Sequence, residues 1–250
     1  MARQRPDGKA AVVTGHSQGL GAAIAAELLS RNVHVLGLAR RGNADLSKRF
    51  GGLLSEVRLD LADSAKLVEW LQSDALGRFL GGFPLAVLVN NAGMLQPIGP
   101  LETQDVTLVS RAVAVNVAAA LMMSAAFVTA SGNASDRRIL HISSGAARNA
   151  YAGWSVYCAT KAALDHHARA VALDRTPGLR ISSVAPGVID TEMQAEVRAS
   201  TDEKFPDRER FVTMKREGTL RRPDEAGRDV VTYLLSDRFG SEPATEVRGT

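Results

Sequence analysis

The chain alternates short apolar runs with longer stretches in which apolar residues recur at helical spacing. Runs over 10–14 (AAVVT), 33–39, 56–59, 86–90, 138–143 and 180–185 read as buried strands. Helical patterns are predicted over 20–30, 64–76, 105–130, 155–175 and 224–236. Strands that alternate with helices imply right-handed crossovers, hence an α/β fold with a doubly wound parallel sheet and helices on both faces. The 250 residues fit a single domain, since no repeat, low-complexity segment or linker divides them. Only 190–222 breaks the pattern. It is polar, charged, poorly periodic and follows a strand end, so it reads as an insertion able to cover a site.

Composition changes this picture little. The chain is 45% hydrophobic and 23% charged, as ordinary globular proteins are, and its net charge is +3. Arginine doublets at 40–41, 137–138 and 221–222 are scattered among acidic or apolar residues, which predicts a solvated surface and no nucleic-acid partner. No apolar run approaches the roughly 20 residues of a membrane span, and 1–10 lacks the apolar stretch of a signal peptide. A cytoplasmic protein is expected. The single cysteine, Cys158, cannot form an internal disulfide and is expected to pack in a helix. No metal is expected.

The candidate chemistry lies in 143–161, SSGAARNAYAGWSVYCATK. Tyr157 and Lys161 are four residues apart at the start of a helix and project from one face. A fixed ammonium favours the phenolate, so Lys161 is expected to lower the Tyr157 pKa and make it a usable general acid or base. Ser143 and Ser144 close a buried strand at its carboxyl end, where open α/β sheets place their ligands.

A second candidate follows the first strand, where 14–21 reads TGHSQGLG. Gly15, Gly19 and Gly21 let the backbone turn tightly from strand into helix, so that N–H groups around Ser17, Gln18 and Leu20 can approach a pyrophosphate. This is the start of a Rossmann-type sheet. After the second strand come Arg40 and Arg41, where an acidic residue would suit the 2′-hydroxyl of NAD and an arginine the 2′-phosphate of NADP. NADP(H) is therefore expected.

Ser144 stands thirteen residues before Tyr157, and Tyr-x-x-x-Lys, T-G-x-x-x-G-x-G, NNAG at 90–93 and Pro-Gly at 186–187 follow the order of the short-chain dehydrogenase/reductase family, which the chain resembles over nearly its whole length. The resemblance implies a role for further residues. Asp60, with Leu61 beside it, would contact the adenine, though a turn or capping aspartate is the alternative. Asn91, Ala92 and Gly93 would border the adenosine ribose. Pro186, Gly187, Val188 and Thr191 would meet the nicotinamide carboxamide, with Tyr157 and Lys161 also at the cofactor. Asn116 has poor helix propensity and sits among valines and alanines, so it is either an interhelical hydrogen bonder or, as the resemblance implies, the holder of a water joining Lys161 to solvent. Gln18 departs from the Lys or Arg of many NADP-preferring relatives.

Within that family, 153–158 and the PG segment with Met193 and Gln194 resemble sepiapterin reductases. SSGA, GW, YC, TKA and 207–220 are closer still to bacterial benzil reductases. The resemblance implies an NADPH-dependent carbonyl reductase acting on an aromatic or pterin-type dicarbonyl. Asn116, Ser144, Tyr157 and Lys161 would be catalytic, and Trp154, Met193, Gln194 and Glu246 would meet the substrate, the alternatives being a Trp154 packed on the helix behind the site and a Glu246 solvated in the tail. The alternatives are a hydroxysteroid-like dehydrogenase working oxidatively and a catalytically silent, cofactor-binding regulator. Helices 105–130 and 155–175 are apolar on more than one face, and in relatives they pair across a twofold axis, which implies a homodimer or homotetramer.

Overall fold

The structure is a computed structural model that describes residues 8–247. Residues 1–7, on which the signal-peptide expectation mostly rests, lie outside the described residues.

Seven parallel strands form one sheet in the order β3-β2-β1-β4-β5-β6-β7. They are β1 Lys9–Thr14, β2 Val33–Ala39, β3 Leu54–Arg58, β4 Leu85–Asn90, β5 Asp136–Ile142, β6 Leu179–Ala185 and the edge strand β7 Ala244–Glu246. The helices are α1 Gly19–Ser30, α2 Ala44–Phe50, α3 Ser64–Gln72, α4 Ala75–Leu80, α5 Val106–Val113, α6 Ala119–Ala130, α7 Ser155–Leu173, α8 Glu192–Ala199, α9 Arg208–Arg216 and α10 Pro223–Leu235. Because side chains alternate across a strand, β1 feeds two cores. Ala11 and Val13 pack with Ile24, Leu28, Val230 and Leu234 of α1 and α10. Ala10 and Val12 pack with Leu67, Leu80, Met123 and Phe127 of α3, α4 and α6.

The strand order reverses between β1 and β4, the switch point at which doubly wound sheets open a crevice at the carboxyl ends of their strands. A third apolar cluster lies beyond those ends, where Trp154 and Tyr157 of the α7 entrance pack with Val197 of α8, Phe211 of α9 and Phe205 between them. The segment 190–222 is thus partly helical, and its apolar residues turn inward onto the crevice.

Several expectations need correction. The helix predicted over 64–76 is two, because Ser73 takes an extended conformation after α3 and the chain restarts at α4. The 105–130 helix contains a π-turn at Ala114–Ala118, around Asn116. Val106–Ala130 is 25 residues long and, by length and composition, apolar enough to cross a membrane, against the reading that no such run exists. Here Met123 and Phe127 pack it on the sheet, and Arg111 pairs with Asp60. Arg138 is no surface residue. It is buried, its guanidinium donates to the carbonyls of Leu234 and Ser236, and it pairs with Asp136, tying β5 to the end of α10. Cys158, by contrast, lies in α7 and packs against the third cluster as expected, partly exposed and with Sγ 3.8 Å from the Asn149 carbonyl.

Candidate active site

The glycine turn is braced from β4. Gly15 and Gly19 have φ of +71° and +58°, a region glycine adopts without strain. A Cβ on Gly21 would fall 2.1 Å from the Gly15 carbonyl oxygen. Asn91 Nδ2 donates to the Thr14 and Gly15 carbonyls at 3.0 and 3.3 Å, while Thr14 Oγ1 accepts from Asn91 N and Ala92 N at 3.0 Å each. Gln18 precedes α1 in an extended conformation and makes no side-chain cap, which leaves the first N–H groups of the helix free of a side-chain acceptor.

This turn floors one continuous cleft of about 750 Å³ along the carboxyl ends of the strands. Ser17, Gln18, Leu20, Arg40, Arg41, Asp60, Leu61 and Gly93 line one end of it. Pro186, Gly187, Val188 and Thr191 form the middle, and Ser144, Trp154, Tyr157, Met193, Gln194 and Glu246 the other end. Lys161 lies between them. Of the sequence-selected residues Asn116 alone is not on this wall. Arg40 and Arg41 are exposed at the end of β2 and make no hydrogen bond or ion pair among the described residues. Asp60 meets its turn reading, since Oδ1 accepts from Ala62 N at 3.0 Å, and Oδ2 pairs with Arg111 at 2.8 Å across the cleft rim.

A dinucleotide fits these residues. The glycines remove the side chains that would fill the turn, the cleft is long enough to join the turn to Tyr157, and two unpaired cations stand at the end where a 2′-phosphate would lie.

The catalytic candidates converge at the other end. Ser144 ends the extended run after β5, and its Oγ accepts from Ala146 N at 3.2 Å. Tyr157 is buried in the first turn of α7, with its hydroxyl 4.0 Å from Met193 Sδ. Lys161 is buried one turn on. Its ammonium donates to the Ile142 carbonyl at 2.7 Å and lies 5.7 Å from the Tyr157 ring centroid. The expected lowering of the tyrosine pKa is therefore not met. Burial pushes the phenol up to about 12, and the Ser144 hydroxyl, which acts in the opposite sense, offsets only part of this. Burial also lowers Lys161 to about 8, against the raising influence of Asp165 one turn further on.

Asn116 is buried in the π-turn, and its amide is largely spent on protein partners. Oδ1 accepts from Met94 N at 2.8 Å, and Nδ2 donates to Met94 O at 2.8 Å and Thr160 Oγ1 at 3.1 Å. The hydrogen bond to Thr160 of α7 meets the interhelical reading of this residue. A Cβ on Gly93 would lie 3.4 Å from Asn116 Oδ1 and 3.6 Å from Lys161 Nζ, so the glycine leaves a small space between the two groups.

Segment 190–222, part of which lines the cleft, is fastened at several points. Gln18 Nε2 donates to Glu192 of α8 at 2.6 Å across the cleft. Phe205 stacks on Trp154. Gly153, with φ of +78°, lets the Lys204 carbonyl oxygen sit 2.0 Å from where a Cβ would be. Arg221 donates to the Pro186 and Val247 carbonyls at 2.8 and 3.0 Å and pairs with Asp229, which holds the Pro-Gly turn. Sequence reasoning passed over Arg221 as a surface arginine, and also Arg148, which donates to Asp165 at 3.1 Å and lies 3.6 Å from Glu246. Neither carries a local signal, because each gains its partners from elements distant in sequence.

The chain matches the sequence profile described as short chain dehydrogenase over residues 9–202. It is 32% identical over 235 residues to a benzil reductase, (S)-benzoin forming, of Bacillus cereus, covering 91% of this chain and 94% of that protein. It is 30% identical over 245 residues to the sepiapterin reductase of Meriones unguiculatus, with 92% of each chain covered. A short-chain dehydrogenase/reductase from Burkholderia vietnamiensis, solved by crystallography, superposes with a TM-score of 0.71 at 50% identity over 98% of both chains. With the parallel sheet, the glycine turn and the Ser-Tyr-Lys cluster already in place, the chain belongs to the short-chain dehydrogenase/reductase family, oxidoreductases that act on CH–OH and C=O groups with a nicotinamide cofactor.

Proposed function

We propose that the chain is an NADPH-dependent carbonyl reductase acting on a ketone of an aromatic or pterin-type dicarbonyl, as a cytoplasmic homodimer or homotetramer. The observation that carries this reading is that Ser144, Tyr157 and Lys161 line the same cleft as the glycine turn, with a buried Tyr157 phenol that keeps its proton at neutral pH. A phenol that keeps its proton is an acid, and an acid is what a carbonyl oxygen needs as its carbon gains hydride. When bound, the reduced nicotinamide supplies that hydride.

The chain's own residues do the rest. Ser144 and Tyr157 hold the carbonyl oxygen, and Tyr157 gives it the proton. Lys161 holds the ribose and keeps positive charge beside the phenol. Asn116 and Gly93 shape the space through which water returns the proton to Tyr157. Arg40 meets the 2′-phosphate, with Arg41 beside it. Trp154, Met193 and Phe211 give an apolar wall suited to a flat ring, with Gln194 and Glu246 as its polar groups. The similarity to the benzil and sepiapterin reductases supports the same substrate class. Segment 190–222 is the cover of this site.

The test is NADPH consumption by the purified protein with benzil, sepiapterin and a panel of simple ketones, together with NADP-dependent oxidation of a secondary steroid alcohol. Turnover of the dicarbonyls is expected. Steroid oxidation without dicarbonyl reduction would overturn the reading, as would nucleotide binding with no turnover of any carbonyl. Direct titration should show NADPH bound at least about tenfold more tightly than NADH, a charge-assisted contact being worth on the order of 1.5–3 kcal/mol.

A further inference from the structure

The glycine turn carries one buried residue that the mechanism leaves unused. His16 has no exposed surface, and it lies across β2 where Gly37 has no side chain, since a Cβ there would fall 2.4 Å from the imidazole ring. In the sheet Gly37 pairs with Glu56 of β3. His16 Nε2 meets Glu56 Oε1 at 2.7 Å, while its Nδ1 has no partner among the described residues. The ring is thus oriented by one hydrogen bond and one hollow.

Glu56 passes that constraint upward. Its Oε1 also accepts from Asn43 N at 2.7 Å and its Oε2 from Ser47 Oγ at 2.8 Å. A Cβ on Gly42 would lie 3.1–3.2 Å from the two carboxylate oxygens, so the loop 40–43 rests directly on this group. Asn43 then reaches back, its Nδ2 donating to the Ser17 carbonyl at 3.1 Å. The circuit starts and ends in the glycine turn. It ties together the two loops that present Ser17 and Arg40–Arg41 to the same end of the cleft.

We propose that His16 is a positioning residue for cofactor selectivity: through Glu56 and Asn43 it holds the loop 40–43 in register with the glycine turn, and so aims the cationic end of the cleft at a 2′-phosphorylated dinucleotide. This rests on the NADPH reading above. The contact lies where NADP and NAD differ, so its loss weakens one ligand and spares the other.

The experiment measures Kd for NADPH and NADH by titration without substrate, in the wild type and in His16→Phe, His16→Gln and Asn43→Ala. His16→Phe keeps a ring in the hollow over Gly37 but cannot donate, His16→Gln keeps a donor, and Asn43→Ala breaks the circuit at a partly exposed position that leaves the core intact. NADPH affinity is expected to fall about fivefold in His16→Phe and in Asn43→Ala, the size of one hydrogen bond, with NADH affinity changing less than about twofold and His16→Gln near the wild type. An unchanged NADH-to-NADPH ratio in both His16→Phe and Asn43→Ala overturns the inference alone. A wild type with no preference for NADPH overturns the cofactor reading and the inference with it. Should His16→Phe fail to fold, Asn43→Ala decides.

Discussion

Trp154 and Phe205 stack face to face, with ring centroids 4.3 Å apart and planes 10° from parallel, so the segment over the cleft is fastened to the entrance of the helix that carries Tyr157. Trp154 also meets the Tyr157 ring edge-on at 5.6 Å. One indole therefore supports both Phe205 and the Tyr157 phenol.

Trp154→Ala is accordingly expected to act twice. Loss of a buried aromatic costs about 3–5 kcal/mol of stability, read by urea unfolding. It also weakens kcat/KM for aromatic diketones by a factor corresponding to about 1–3 kcal/mol, with Kd for NADPH unchanged. Phe205→Leu, which keeps an apolar side chain there, should show the same kinetic trend at a smaller stability cost. Unchanged kinetics in both folded variants would confine the pair to packing.

Tyr157→Phe should abolish carbonyl reduction while leaving NADPH binding intact, and a variant with most of its activity would remove the tyrosine from the mechanism. The pH profile adds a second check. Lys161, lowered to about 8, loses its charge as pH rises through that value, so kcat/KM for reduction should decline above about pH 8. A rate flat to about pH 10, the ordinary lysine range, would show that the lysine charge is not needed.

His141 gives the acid side of the stability curve. It is fully buried on β5, its Nδ1 is 3.1 Å from Asn90 Nδ2 and its Nε2 3.0 Å from His167 Nδ1, and burial lowers it to about 3. Between about pH 6.5 and 3 the unfolded chain binds a proton that the folded chain does not, so stability falls with decreasing pH by up to about 1.4 kcal/mol per unit from this group. His141→Gln should flatten the dependence of unfolding free energy on pH below about 6.5. An identical slope would locate the acid sensitivity elsewhere.

Association is testable from exposed apolar side chains. Val106 and Leu173 are 81% and 79% exposed, at the start of α5 and the end of α7, and Val113 is 44% exposed on α5. These are the helices expected to pair across a twofold axis. Light scattering at micromolar concentration should give at least twice the chain mass, and Val106→Glu with Val113→Glu should lower it towards a monomer. A monomeric wild type would refute the pairing.

The inner strands β1, β2, β4, β5 and β6 are legible because they are largely buried on both faces and so read as apolar runs, whereas edge strand β3, with sequence LSEVR, has no buried residue. The pattern locates 33–39 to the residue and the other five strands within two positions at either end. Edge strand β7, with sequence ATE, and short α2, with sequence ADLSKRF, have no such signature. The candidate residues are legible as motifs, and all of them but Asn116 line the cleft. What the motifs could not convey was environment. The sign of the Tyr157 shift depends on burial among apolar residues that include Val197, Phe205 and Phe211, and buried Arg138 depends on carbonyls at Leu234 and Ser236. Spacing along the chain reports neither.

The close approach of Lys204 to Gly153 has a consequence for redesign. Residues 192–204 are moored at one end by Glu192 on Gln18 and at the other by a carbonyl lodged against a glycine backbone. Neither mooring involves the reacting groups themselves. Because Met193 and Val197 of this span also touch Tyr157, its other lining positions, Gln194 and Glu196, are the natural place to graft new substrate range while the tyrosine keeps its packing.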